Sequence, residues 1–484
     1  MKKFFVTNLF FLLTLNILIK SFWILGIDRG VQNTLPSGEY GIYYALLNFT
    51  YLFNIILDFG VTSFNNRTIA QNAVLLKKYF AKIIPLRFVL AGVYAVVLFV
   101  VAYLTSYDSY AFHLLKWLCV FQILTAFLTY LRSNISALML FKTDSLLSVM
   151  DKTLTIIFCS VMLWTPFLKG GLKVDYFVYA QVLSMGLSVL TALIICLWKT
   201  GFVRINWDKK FMLAVLKAGF PYALLTLLMS FYNRMDTVML ERMLKDGKIA
   251  SEIYASGFRL VDSVNMVAYL FSVILLPLFA KLIKDGGNVK EIIKISFHLL
   301  LLISVGFAAV SVTYSNELMA LLYNKHIEES SQVFKILCFC FIPVSMTYIF
   351  GTLLTANGSL KKLNKVAAGG MIINIGINLL LIPGYAAQGS AYAALTAQTV
   401  TALLQILIAI KIFDIKISLK YCMKIAAFLL LCAILTAAVS KLELYWVYKL
   451  LITLGLFVVC AFVCRIFSAK ELKAYALSVI KDKI

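Results

Sequence analysis

The sequence predicts an all-α integral membrane protein of about fourteen transmembrane helices, built as two parallel six-helix bundles around a central cavity, plus two C-terminal helices. Three observations predict it: the composition, apolar runs of bilayer length from end to end, and basic residues that alternate between loops. Of 484 residues, 62% are hydrophobic and 14% charged, and mean hydropathy is +0.92. Soluble globular chains carry roughly 25% charged residues. A spanning helix needs about 20 mostly apolar residues, because the bilayer core is roughly 30 Å thick. Such stretches recur throughout, and no segment of soluble-domain size remains between them.

Hydropathy places the spans at 5–27, 41–62, 83–105, 112–138, 145–168, 176–198, 213–235, 253–280, 295–314, 333–355, 366–383, 387–410, 422–440 and 446–467. The first begins after Met-Lys-Lys and mimics a signal peptide. It is long, lacks a small-residue cleavage site and contains Lys20, so a retained span is expected. Spans seven and eight carry charges. Pro221, Pro277 and Pro343 lie inside spans, where proline can break or kink a helix.

Loop charges support an even count. With the N-terminus inside, the loops on that side hold thirty Lys and Arg, from Lys2 and Lys3 through Arg67 to Arg87 and on to Lys483. The opposite loops hold eight: Arg29, Lys169, Lys173, Arg242, Lys245, Lys248, Lys325 and Lys441. The positive-inside rule then puts both termini in the cytoplasm. The same rule accounts for most of the formal charge of +23, which in a soluble chain would suggest nucleic acid. Here no nucleic-acid partner is expected.

The halves show a weak repeat. Glu39-Tyr40-Gly41-Ile42-Tyr43 opens span two and Glu252-Ile253-Tyr254-Ala255 opens span eight; Tyr40 and Tyr254 lie 214 residues apart. Leu138-Met139-Leu140 and Leu353-Leu354-Thr355 precede similar turns at nearly the same offset. Six spans is an even number, so the repeats run parallel, with a site expected between them. Residues 1–200 and 201–412 are the expected bundles, and 413–484 the two extra helices with a cytoplasmic tail.

Charges inside the spans carry the functional signal, since at bilayer depth they cost several kcal/mol unless they face protein or water. The cations are Lys20, Lys116, Arg132, Arg234 and Arg259, and the acids Asp58, Asp236 and Asp262, with Asp28 at an outer end. Lys116, Arg132 and Asp58 sit near span ends, where long side chains can snorkel. Arg234 with Asp236, and Arg259 with Asp262, can form neutralising pairs. The excess of cations suits a phosphate or pyrophosphate, which Arg holds bidentately and Lys as a point charge. Asp58, Asp236 and Asp262 are candidate coupling or ion-pair acids for a proton or sodium ion. Asn374 and Asn378 share a helix face in span eleven and can bond a sugar or a neighbouring helix. Nine cysteines lie in or beside spans, so no disulfides are expected. Three scattered histidines make no ligand cluster, so no metal or cofactor is expected.

Several stretches together resemble the Wzx-type polysaccharide flippases of the multidrug/oligosaccharidyl-lipid/polysaccharide exporter superfamily. They are Gly38-Glu39-Tyr40-Gly41 with Leu57-Asp58-Phe59-Gly60; Ala218-Gly219-Phe220-Pro221 with Arg234-Met235-Asp236-Thr237; Ile253-Tyr254-Ala255-Ser256-Gly257-Phe258-Arg259 with Leu276-Pro277; and Gly351 to Gly358, Asn374, Asn378 and Gly389-Ser390-Ala391. The family usually has Gly where this chain has Glu241. The resemblance implies translocation of an undecaprenyl-pyrophosphate-linked oligosaccharide between the leaflets of the bacterial inner membrane, for surface polysaccharide such as O-antigen lipopolysaccharide. It implies contact with membrane lipid, and a polysaccharide polymerase and chain-length regulator as partners. Lys20, Arg132, Arg234 and Arg259 would line a cationic cavity. The alternatives are a cation-coupled drug antiporter of the same superfamily and a peptidoglycan-precursor flippase. A membrane polymerase is disfavoured: the outer loops are short and carry no nucleophile, base or metal constellation, so no catalytic activity is expected.

Overall fold

The structure is a computed structural model. It describes residues 14–16, 18–62, 65, 69, 73–138, 140–165, 171–201, 204, 206–415 and 418–464. The start of the first expected span, the basic residues Lys2, Lys3, Arg67 and Lys169, and the tail from Arg465 lie outside them. The described secondary structure is all helical. Contacts divide the chain into two units, Met1–Glu252 and Ile253–Ile484.

In the first unit, α1 covers helical residues 14–16 and 18–34, with a π-helical stretch at Trp23–Asp28. Gly38, at φ 86°, opens α2, Glu39–Leu52. A short turn, Ile55–Asp58, continues it and ends at Phe59 and Gly60, both left-handed. Then follow α3 (Leu76–Leu104), α4 (Ser109–Ala137), α5 (Phe141–Trp164), α6 (Val174–Thr200) and α7 (Lys209–Met243). Local chemistry sets two of these starts. Asp108 accepts from the Ala111 N–H at 2.7 Å ahead of α4, and Asp208 from the Phe211 N–H at 3.0 Å ahead of α7. Each satisfies one of the donors that a helix start leaves unpaired.

α8 is Gly247–Lys284. Both α7 and α8 run well past the expected span ends at 235 and 253, so only residues 244–246 join them. The tight junction requires Gly247: a Cβ there would lie 2.4 Å from the Glu241 carbonyl oxygen.

The second unit holds the rest of α8, then α9 (Lys290–Thr313), a short helix Ser315–Leu322, and α10 (Ile327–Ala356), which stays helical through Pro343. Leu360–Phe413 is one helical run with a non-helical residue, Ala386, at φ 45°. It is a hairpin. Ser390 donates to Asn378 at 2.8 Å, whereas twelve residues of straight helix would set them roughly 18 Å apart. The two arms are α11 (360–385) and α12 (387–413), split close to the expected boundary. Pro383 lies just before the reversal, and Gly389 lets the arms meet, since its Cβ would lie 2.6 Å from the Leu381 carbonyl oxygen. α13 (Leu419–Ser440) and α14 (Trp446–Val463) pack on α9 through Leu301, Val305, Phe428, Cys432 and Phe457.

Each of the fourteen expected spans overlaps helical residues. Among the described residues, ten helices are long and apolar enough to cross a membrane, the α11–α12 run counting once. The repeat also recurs in the helix limits. Shifted by 214, α3 would begin at 290, where α9 begins. Shifted likewise, α6 would cover 388–414, against 387–413 for α12.

Candidate functional site

Where the short turn after α2 ends, the backbone turns left-handed and leaves donors facing Asp58. Its carboxylate accepts from the Gly60 and Thr62 N–H groups, both at 3.2 Å, and from the Thr62 hydroxyl. Arg87, counted above among inner-loop cations, is instead inside α3 and 2% exposed. It donates to Asp58 at 2.6 Å, to the Leu57 carbonyl at 2.7 Å and to Thr62 at 2.5 Å, and lies 5.1 Å from the Tyr130 ring. The long apolar run hid it, because one Arg barely lowers the mean hydropathy of such a window. Asp58 is therefore held as an ion-pair acid. The same turn meets α7: a Cβ on Gly219 would lie 2.1 Å from the Phe59 carbonyl oxygen. Two of the resembling stretches, 57–60 and 218–221, thus form one packing contact.

A second cluster joins α1, α4 and α5. Asn16 donates to Ser148 at 2.8 Å and fixes the register of α1 on α5. Arg132 donates to Asp144 at 2.8 Å, both partly buried, so this cation has its own carboxylate. Lys20, half-buried, lies within electrostatic reach of Asp151, Lys152 and Arg132. Lys152 is 3.5 Å from Asp151, and its ammonium faces the Trp23 and Phe121 rings at 4.9 and 5.8 Å. The structure thus brings Lys20 and Arg132 together, and adds Asp144, Asp151 and Lys152, which the sequence reading passed over. The missed signal was spacing: Asp144, Ser148, Asp151 and Thr155 recur at i, i+4, i+7 and i+11, one face of α5.

Arg234 has a neutral partner. It donates to Asn48 Oδ1 at 3.3 Å and lies 5.1 Å from the Tyr51 ring. Asn48 is aimed by its own amide, which donates to the Tyr44 carbonyl at 2.9 Å. Asp236, two residues on, is buried.

In the second unit Arg259 and Asp262 are half-buried on α8, and the Arg259 carbonyl accepts from the Ser263 hydroxyl at 2.8 Å. Asn374 and Asn378 are fully buried. The Asn378 amide donates to Asn374 at 3.2 Å, and its oxygen accepts from Ser390. They clamp the α11–α12 hairpin.

At the expected outer ends, α2 meets the start of α8. The Gly38 N–H donates to the buried Glu252 carboxylate at 2.5 Å, and Gln32 donates to the Glu252 carbonyl at 3.4 Å. A Cβ on Gly41 would lie 1.7 Å from the Lys248 carbonyl oxygen. Glu241, at the position where the family usually has Gly, is nearly enclosed, with Arg242 4.0 Å away. Burial pushes its carboxyl above the usual carboxylate range, against the pull of Arg242 and Lys248. At the opposite end Lys82, 2.6 Å away, holds the Asp208 carboxyl below that range. Among the described residues no group of three His, Cys, Asp or Glu could hold a metal ion. Cys119, Cys159, Cys196, Cys338, Cys432, Cys460 and Cys464 are in no disulfide.

These geometries can be set beside known proteins. The fold is similar to a lipid II flippase MurJ in an inward closed conformation, with TM-score 0.70, 13% identity, and 95% of this chain and 98% of that one covered. It is similar to an inward-facing multidrug resistance MATE family transporter of the MOP superfamily, with TM-score 0.64, 13% identity, and 81% and 94% covered. It is also similar to a MOP superfamily transporter from Pyrococcus furiosus, described by a reverse polarity of its binding pocket, with TM-score 0.57, 13% identity, and 84% and 95% covered. No curated protein matches the chain in sequence. The solved relatives are flippases and transporters rather than catalysts, and at these identities they establish the fold. Residues 5–282 match the model of a family described as polysaccharide biosynthesis protein. That match covers more than half of the chain, and the chain, whose fold is similar to those of the MOP superfamily transporters above, therefore belongs to the polysaccharide biosynthesis protein family.

Proposed function

We propose that the chain is a flippase that carries an undecaprenyl-pyrophosphate-linked oligosaccharide from the cytoplasmic to the periplasmic leaflet of the bacterial inner membrane, by alternating access, for surface polysaccharide such as O-antigen. The observation that carries this reading is the balance of charge inside the helices of the first unit. Asp58 is committed to Arg87 and Asp144 to Arg132, while Lys20 and Lys152 share Asp151 and Arg234 rests on the neutral Asn48. Within this set the cations outnumber the carboxylates, with the buried Asp28 and Asp236 lying outside it, which favours a phosphate-bearing substrate over a lipophilic cation. Family membership and the MurJ-like fold support the same class. Lys20, Arg132, Arg234 and Arg259 are the substrate-binding cations in this reading, with Asn374 and Asn378 as polar support. Of the three acids first considered for coupling a proton or sodium ion, Asp58 is an ion-pair acid, which leaves Asp236 and Asp262.

The two bundles, residues 1–200 and 201–412, alternate in exposing the site; 413–484 are an addition with a cytoplasmic tail. Both termini face the cytoplasm, and a polymerase and chain-length regulator act on the product. Deleting the gene should leave lipid-linked oligosaccharide inaccessible to a periplasmic probe, and the wild-type gene should restore access. A peptidoglycan-precursor flippase is the second reading, favoured by the fold shared with MurJ. It predicts lysis on depletion rather than loss of surface glycan. A drug antiporter would instead show altered drug susceptibility with glycan unaffected.

A further inference from the structure

The expected outer ends of α4 and α6 carry a cluster that the site above does not use. Tyr110, His113 and Trp117 recur at i, i+3 and i+7 on one exposed face of α4. Asp175 and Tyr179 stand one turn apart at the start of α6. The His113 Nε2 lies 3.0 Å from the Tyr179 hydroxyl and 3.4 Å from Asp175 Oδ1. The Tyr110 hydroxyl donates to Asp175 Oδ2 at 3.5 Å, and the Trp117 ring meets Tyr179 edge-on with 4.9 Å between ring centres. Asp175 Oδ1 is enclosed and accepts no hydrogen bond, yet 20% of the side chain stays open. The ion-pair partner in reach, His113, is charged only when protonated. Glu39 and Asp108 also lie within electrostatic reach of Tyr110, Asp108 with Lys248 3.9 Å away. These surroundings favour a further cation.

What lies below the cluster tells what it faces. Continued inward, the two faces give Val120 on α4 and Leu183, Leu187, Leu190 and Ile194 on α6, all exposed. On helices of bilayer length such a run meets acyl chains. The cluster sits just above it, at the expected span ends 112 and 176, where lipid headgroups lie. Lys116 is exposed on α4, one turn further in than His113, about 4.5 Å at 1.5 Å per residue. A carboxylate near the water, with a lysine one turn deeper, complements a zwitterion whose ammonium is outermost and whose phosphate lies below it. The rings of Tyr110 and Trp117, 39% and 38% exposed, offer faces to that ammonium. We propose that the outer ends of α4 and α6 bind an aminophospholipid: its primary ammonium sits on Asp175 among the rings of Tyr110, Trp117 and Tyr179, its phosphate on Lys116, and its acyl chains along Leu183 and Leu187. A primary ammonium donates hydrogen bonds to the carboxylate, which a trimethylammonium cannot. The bound lipid ties two helices of the first unit together. This site is independent of the flippase reading, because it faces the bilayer rather than a transported substrate.

The test uses the full chain, delipidated in detergent and titrated with phosphatidylethanolamine, phosphatidylcholine and phosphatidylglycerol of identical acyl chains. Native mass spectrometry reads the bound lipid, and thermal melting runs alongside. Wild type should hold phosphatidylethanolamine about tenfold tighter than the other two, and melt higher with it. Asp175→Asn should remove that preference and leave phosphatidylglycerol binding unchanged, while Asp175→Glu should keep most of it. Lys116→Gln should weaken phosphatidylethanolamine and phosphatidylglycerol alike. Equal affinity of wild type for all three lipids would mark an unselective aromatic belt and overturn the proposal. Tighter phosphatidylglycerol binding would mark an anionic-lipid site and overturn it too, as would unchanged phosphatidylethanolamine binding in Lys116→Gln or wild-type selectivity in Asp175→Asn. Should Asp175→Asn melt early without lipid, the exposed pair Tyr110→Leu and Trp117→Leu decides instead: the preference must fall severalfold, and its survival overturns the proposal.

Discussion

Arg87→Met removes a fully enclosed charge of the first unit and keeps most of its apolar volume. Four contacts go with the guanidinium: the Asp58 carboxylate, the Leu57 carbonyl, the Thr62 hydroxyl and the Tyr130 ring. Removing one partner of a buried ion pair costs roughly 3–5 kcal/mol, because the other charge stays behind. Here Asp58 is 35% exposed at its side chain and keeps its own N–H donors, which lowers that cost. The orphaned Leu57 carbonyl adds about 1–3 kcal/mol, and the lost ring contact about 0.5–2 kcal/mol. The expected destabilisation is about 4 kcal/mol, on the order of a 10³-fold shift in the unfolding equilibrium. Reversible unfolding in bicelles measures it. Asp58→Asn should cost less, and the double variant less than the sum of the singles, because the two residues are coupled. A loss below about 1 kcal/mol in Arg87→Met, or strict additivity in the double variant, would refute the reasoning.

Four further outcomes follow from the surroundings of residues elsewhere. Gly41→Ala would drive a methyl into the Lys248 carbonyl and should lower thermal stability by about 1–3 kcal/mol or more. Gly376→Ala, with open space around it, should be neutral or stabilising by up to about 1 kcal/mol. Ser390→Ala should cost about 1–3 kcal/mol, by leaving the buried Asn378 oxygen without its 2.8 Å donor; denaturant unfolding measures it. Glu241→Gln should raise thermal stability at neutral pH. Burial raises the folded-state pKa of Glu241 above its unfolded value, so the folded state favours the protonated form. Wild-type stability should therefore fall as pH rises through the raised value, and the variant's advantage should vanish in acid. A variant with the same pH profile as wild type would count against that origin.

How much could be read beforehand depended on the range of the interaction. Spans are local: about 20 apolar residues suffice, and the α11–α12 reversal at Ala386 lies at the expected boundary between spans eleven and twelve. The α7–α8 junction was misjudged, because both helices continue past their apolar stretches and only close backbone approach at Gly247 forces the turn. Site partners were harder. Asn48 and Arg234 stand 186 residues apart, and Glu252 caps α2 from 214 residues away. No local pattern encodes such pairs. Asp151 and Lys152 were a different failure, since hydropathy averaging hid two charges whose helical spacing was present in the sequence. Glu241, flagged only as a departure from the family, proved to be a carboxylate nearly enclosed beside Arg242.

The most direct test of the central claim is the sidedness of the lipid-linked oligosaccharide in spheroplasts of a deletion strain, probed with a membrane-impermeant glycan reagent. The account predicts accumulation of glycan closed to the probe, reversed by the wild-type gene and only weakly by Lys20→Ala or Arg234→Ala at equal protein level. Normal labelling in the deletion strain, without a second flippase, would contradict it.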